Sequence, residues 1–90
     1  MSDAEKLLAD LDRAARRHGW ATSRHTLGYY KLRCVKDGGS IAIRVGPTGR
    51  IGQVAVDVDG TQYQLVAPSR AAVEELLLKP LPKPTVVASD

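Results

Sequence analysis

The sequence predicts an α+β fold: an N-terminal helix, a four-stranded antiparallel meander that a fifth strand can extend, and a C-terminal helix. Both helices are expected on one face of the sheet. Three observations carry this. Apolar residues recur at helical spacing near both ends of the chain, over residues 3–18 and again after Ser69. Between them the period drops to two, in runs rich in Val, Ile, Leu and Tyr. Short segments of Gly, Asp, Pro and Ser separate those runs, and these residues favour tight turns.

In the first helix Leu7, Leu8, Leu11, Ala15 and His18 form the apolar stripe. Ser2 and Glu5 have the spacing of a capping box, in which the hydroxyl accepts a free N–H and the carboxylate reaches back. Asp3 and Glu5 lie at the positive end of the helix dipole, and Arg16 and Arg17 at its negative end. Gly19 tolerates the left-handed conformation that stops a helix. Residues 20–24 can add a short extra strand ahead of the others. Tyr30, Leu32 and Cys34 then alternate with Tyr29, Lys31 and Arg33. After a turn over residues 36–40, Ile41, Ile43 and Val45 alternate with Ala42 and Arg44.

Residues 46–50, Gly-Pro-Thr-Gly-Arg, make a second loop. Gly46 to Gly49 match the GXXG letters of a KH nucleic-acid clamp, but that clamp joins two helices. Here the flanking runs are strands, so ordinary turn chemistry is expected. Val54, Val56 and Val58 alternate with Gln53, Ala55 and Asp57. Asp59-Gly60 is a two-residue hairpin signal, and Tyr63 and Leu65 follow in alternation with Gln62 and Gln64. Ser69 is the expected N-cap of the second helix, with Ala72, Val73, Leu76 and Leu77 as its stripe and Pro80 as its end. Residues 1–79 therefore read as one α+β domain. Residues 80–90 read as an extended Pro-rich tail.

Composition narrows the function classes. A chain of 90 residues buries only about 60–65% of its unfolded surface, so its core is small. There is no Phe, and the core must come from Leu, Ile, Val and Ala with Trp20 and the tyrosines. No apolar run approaches the ~18 residues of a membrane helix. The acidic start lacks the basic-then-apolar order of a signal peptide. One cysteine cannot form an intramolecular disulfide. The expectation is a cytoplasmic protein with no membrane partner.

Charge is unevenly distributed. Residues 1–12 carry four acids against Lys6, a net of −3. Residues 13–50 carry nine Lys and Arg against Asp37 alone, a net of +8. Residues 51–90 carry five acids against Arg70, Lys79 and Lys83, a net of −2. A basic block of this kind points to a negatively charged partner, either nucleic acid or an acidic protein surface. The alternation sends Tyr30, Leu32, Cys34, Ile41, Ile43 and Val45 toward the helices. It sends Tyr29, Lys31, Arg33 and Arg44 outward, with Gln53, Gln62 and Gln64 continuing the polar face. Cations neutralise phosphates and an exposed aromatic stacks on a base. Tyr29, Lys31, Arg33 and Arg44, helped by Arg50 and Arg24, are thus the candidate nucleic-acid-binding residues. Arg13, Arg16 and Arg17 form a basic patch on the first helix unless Asp10 and Asp12 pair with them.

The sequence favours a binding protein over an enzyme. His18 and His25 are the only histidines and Cys34 the only thiol. No pair has metal-ligand spacing, so neither a metal nor a cofactor is expected. Cys34 falls on the apolar side of its strand, where a small buried hydrophobe is the ordinary outcome. His25, in a polar segment beside many cations, is the one candidate for a catalytic role.

The first third of the chain resembles the start of HicA-type toxins of bacterial toxin–antitoxin systems. The resemblance rests on Leu7-Leu8-Ala9-Asp10-Leu11, then His18-Gly19-Trp20, then Arg24. It implies a double-stranded-RNA-binding-like fold with an RNA-contacting face. By position Gly28-Tyr29-Tyr30 stand where that family has Ser-His-His, so Tyr29 replaces the family's catalytic histidine. The Val-rich hairpin over 51–66 is an addition to the family pattern. The resemblance therefore implies a relative in which ribonuclease activity is lost or carried by His25. Two further expectations concern partners. Small accessory or host-modulating proteins of phages and mobile elements dock acidic proteins through such basic faces, and an edge strand of an open sheet permits a homodimer.

Overall fold

The Ser2 hydroxyl accepts the Glu5 backbone N–H at 3.2 Å, and the Glu5 carboxylate accepts the Ser2 N–H at 3.5 Å. This reciprocal cap starts α1 (Asp3–Arg17) in the computed structural model, which describes residues 2–80. The tail expected over 80–90 lies outside the described residues apart from Pro80. α1 ends at the C-cap His18, and Gly19 turns left-handed with φ 89°. Leu8, Leu11 and Ala15 are its buried side.

The strands are β1 (Ala21–Arg24), β2 (Leu32–Lys36), β3 (Gly39–Val45), β4 (Ile51–Val58) and β5 (Thr61–Val66), followed by α2 (Arg70–Leu78). They form one open antiparallel sheet in the order β1-β2-β3-β4-β5, so the meander has five strands. Asp59 and Gly60, with φ 52° and 81°, both occupy the left-handed region that a two-residue hairpin requires. The Asp59 N–H donates to the Gly38 carbonyl at 2.8 Å and ties the tips of the two hairpins together. The Gly46–Gly49 segment is a turn between strands, closed by Gly49 N–H to the Gly46 carbonyl at 3.0 Å. Ser69 caps α2 by accepting the Ala72 N–H at 3.1 Å.

Leu32, Cys34, Ile41, Ile43, Val54 and Val56 line the inner face and are almost fully buried. They meet Leu11 and Ala15 of α1 and Val73, Leu76 and Leu77 of α2 in a single core. Trp20 closes this core where α1, α2 and the β2–β3 hairpin converge. It is 3% exposed, its Nε1–H donates to the Leu77 carbonyl at 2.8 Å, and the Lys36 ammonium stands 4.6 Å from its ring centroid. The same ammonium donates to the His18 carbonyl at 3.1 Å, so it also satisfies the end of α1.

One expected strand boundary is corrected. The first long strand begins at Leu32, not at Tyr29, and residues 25–31 form a loop. The His25 N–H bonds to the Lys31 carbonyl at 3.0 Å, which closes the loop on itself. Tyr30 consequently does not face the helices. It lies over the outer side of the sheet beside Arg33, Ala42 and Ala55.

Trp20 generates a stability prediction. Trp20→Phe leaves the Leu77 carbonyl without its indole donor and shortens the ring, and should cost about 1–3 kcal/mol. Trp20→Ala should cost about 3–5 kcal/mol. Urea unfolding followed by circular dichroism measures both, and a loss within error of zero for either would contradict the role given to Trp20.

Candidate nucleic-acid interface

The antiparallel register places three rows of side chains across the outer face. One row is Ser23, Arg33, Ala42, Ala55 and Gln64. A second is Val35, Ser40, Asp57 and Gln62, and a third is Arg44, Gln53 and Val66. The face is polar and only weakly charged. Arg33 and Arg44 are its strand cations, and the Asp57 carboxylate accepts from Gln62 Nε2 at 3.1 Å.

The 25–31 loop adds an aromatic layer to this face. Tyr29 and Tyr30 meet edge to face, with ring centroids 5.0 Å apart. Ala42 is buried although it belongs to the outer row, and it shares a groove of about 430 Å³ with Tyr30, Arg33, Gln62 and Gln64. Tyr29 remains 58% exposed. Its hydroxyl donates to Gln53 Oε1 at 2.8 Å, and Gln53 Nε2 donates to Gln64 Oε1 at 2.6 Å. The Arg44 guanidinium carbon lies 4.6 Å from the Tyr29 ring centroid. The ring is therefore held from its edge and against one face while much of it stays open to solvent.

A bulge makes room for Arg44. The register between β3 and β4 shifts after Arg44, so that Arg44 opposes Gln53 and Val45 opposes Ile51, leaving Gly52 as the extra residue. A Cβ at Gly52 would stand 3.2 Å from Arg44 Nη1. A lone Gly within a strand is a sequence signal for a bulge, and it was the available clue to this feature. No sequence signal pointed to the tethering of Tyr29 by Gln53, which depends on the path of the loop.

The six sequence-predicted residues do not converge. Tyr29, Arg33 and Arg44 share the outer face. Lys31, expected among them, precedes β2; its Nζ donates to the Thr26 carbonyl at 2.8 Å. With Arg24 and His25 it lines a second cavity of about 340 Å³, beside Glu5 and Leu8 of α1. Arg24 pairs with Leu32 on the inner face of the sheet and lies 3.8 Å from the Asp12 carboxylate. The His25 ring is exposed, with Nε2 3.1 Å from Ser23 Oγ. Arg50 belongs to a third region, lining a cavity with Asp3, Lys6 and Asp10 of α1 and with Arg70.

Three of the nine mid-chain cations, Arg13, Arg16 and Arg24, meet acids of α1. Arg13 pairs with Asp10, and Arg70 lies 3.4 Å from the same carboxylate. Arg16 pairs with Asp12 at 2.9 Å, and the Thr22 hydroxyl donates to Asp12 at 2.5 Å. Among the described residues Arg33 and Arg44 form no ion pair. Beneath Asp12, Cys34 is fully buried. Burial, and secondarily the Asp12 charge, push its thiol from 9.0 up to about 12. No three potential metal ligands cluster among the described residues.

Two predictions follow from this geometry. A double-mutant cycle of Tyr29→Leu with Arg44→Ala, read by urea unfolding, should give a coupling of about 0.5–1 kcal/mol, the range of an exposed cation–π pair. Cys34 should resist alkylation in the folded protein at mildly alkaline pH and react fully once unfolded. Folding keeps this thiol protonated, so its contribution to stability is complete below its unfolded value and falls as pH rises toward about 12. Rapid labelling of the native thiol would contradict both its burial and its raised pKa.

No protein-family model, no curated protein and no solved structure matches this chain.

Proposed function

We propose that the outer sheet face binds single-stranded nucleic acid, with Tyr29 as the stacking platform and Arg33 and Arg44 as phosphate contacts. The observation that carries this reading is the Tyr29 ring, 58% exposed yet fixed by Gln53 and Arg44. A ring held in place loses little further freedom when a base stacks on it. Base–aromatic stacking tolerates any sequence, because every base has a π-face. Gln53, Gln62 and Gln64 offer amide donors and acceptors to base edges across neighbouring strands. A single strand suits the face better than a duplex, because stacking on Tyr29 needs an unpaired base. The sparse charge implies modest affinity and a shallow salt dependence.

The reading assigns binding rather than catalysis. The His25 ring lies with Arg24 and Lys31 around a different cavity from Tyr29 and Arg44.

Fluorescence anisotropy with labelled single-stranded RNA, single-stranded DNA and duplexes tests the proposal. Single strands should bind better than duplexes. Tyr29→Ala should weaken binding by about 1–3 kcal/mol. Arg33→Gln should lower the slope of log affinity against log salt by about 0.7, the value for one phosphate of a single strand. Equal binding by wild type and Tyr29→Ala would overturn the stacking role. No binding to any probe would overturn the reading and turn attention to an acidic protein as the partner.

A further inference from the structure

β5 is an edge strand whose own sequence lacks the usual protection. Thr61-Gln62-Tyr63-Gln64-Leu65-Val66 contains no charged residue, no Pro and no Gly, and charges, Pro and bulges are what ordinarily keep edges from pairing. The opposite edge, β1, is four residues long, ends in Arg24 and packs beside α1.

The hairpin fixes which backbone groups of β5 face outward. Val58 and Thr61 close the two-residue turn, so the hydrogen-bonded pairs with β4 fall at Thr61, Tyr63 and Leu65. Ala67 continues this inward series, its N–H donating to the Gly52 carbonyl at 3.0 Å. The N–H and C=O groups of Gln62, Gln64 and Val66 therefore point away from β4. Among the described residues no strand lies on that side.

We propose that β5 pairs antiparallel with β5 of a second copy of this chain, about a twofold axis through Gln64. The two five-stranded sheets then become one. In this register Gln64 faces Gln64, Gln62 faces Val66, and each of these pairs exchanges two N–H···O bonds. Tyr63 faces Leu65 of the second copy on the core side, an aromatic-on-aliphatic pair of the kind that stabilises sheets. Both residues are half-buried at the margin of the core, so pairing carries the apolar layer across the axis. On the outer side Val66, 82% exposed, is covered. The occupant is a second copy because an uncharged strand paired with itself meets no like charge and closes as a twofold dimer. The proposal does not depend on what the outer face binds.

Sedimentation equilibrium of the full chain across the micromolar range tests it. The expected mass is twice 9.7 kDa. Gln64→Lys sets two ammonium groups face to face and should raise the dissociation constant about fivefold or more. Gln62→Lys, with the same charge on the same face but opposite Val66, should dissociate less. An equimolar mixture of Gln64→Lys and Gln64→Glu should dimerise more tightly than either alone. Circular dichroism spectra of the variants should match wild type, which separates lost pairing from lost folding. A wild-type chain that stays monomeric overturns the proposal. A dimer indifferent to Gln64→Lys and to the mixture also overturns it, by placing the contact on another surface.

Discussion

The Trp20–Leu77 hydrogen bond holds together what the rest of the chain only brings near. A buried indole N–H must find an acceptor, and the acceptor here is a carbonyl at the end of α2, 57 residues away in sequence. Helix carbonyls in the last turn lack partners within their own helix, so the bond satisfies two groups at once. The Lys36 ammonium completes the arrangement by reaching the ring and the C-cap carbonyl of His18 together. One side chain thus fixes both helices against the β2–β3 hairpin. The inner face is committed to the core, and the outer face is left for other contacts.

Most of the fold was legible because the signals were local and repeated. The Ser2–Glu5 cap, the Asp59-Gly60 hairpin, the Ser69 cap and the alternation of Val54, Val56 and Val58 each specify geometry within a few residues, and each holds in the structure. The candidate site was only partly legible. Alternation carried Arg33 and Arg44 to the outer face correctly. It failed at Tyr30 and Lys31, where the alternating letters of residues 29–31 belong to a closed loop. Three residues cannot distinguish a strand from a loop, because the deciding contact, His25 N–H to Lys31 C=O, is invisible in the pattern. Lys31 was therefore placed with residues it does not join, while Arg24 parts from them because its pairing with Leu32 puts it on the inner face.

Charge counting misled in a related way. A net of +8 over residues 13–50 suggested a strongly basic face. In three dimensions Asp10 and Asp12 of α1 face Arg13, Arg16, Arg24 and Arg70. Exposed pairs of this kind add little stability, but they do remove net charge from the surface. The outer face itself carries a tethered aromatic ring, two arginines, Asp57 and a row of amides. In the proposed reading, recognition there depends on the shape and exposed π-surface of Tyr29 more than on bulk electrostatic attraction.

The meander order of the sheet also bears on the history of the chain during synthesis. Every strand pairs with the next one in sequence, so each hairpin can close soon after its second strand emerges. Such local contacts favour rapid assembly. The carbonyl that Trp20 requires belongs to Leu77 and emerges after all five strands. Until it does, the indole N–H has no protein acceptor and the helices have no common anchor. The order of the chain thus lets every strand pairing precede the final turn of α2, which supplies the acceptor that closes the core around Trp20.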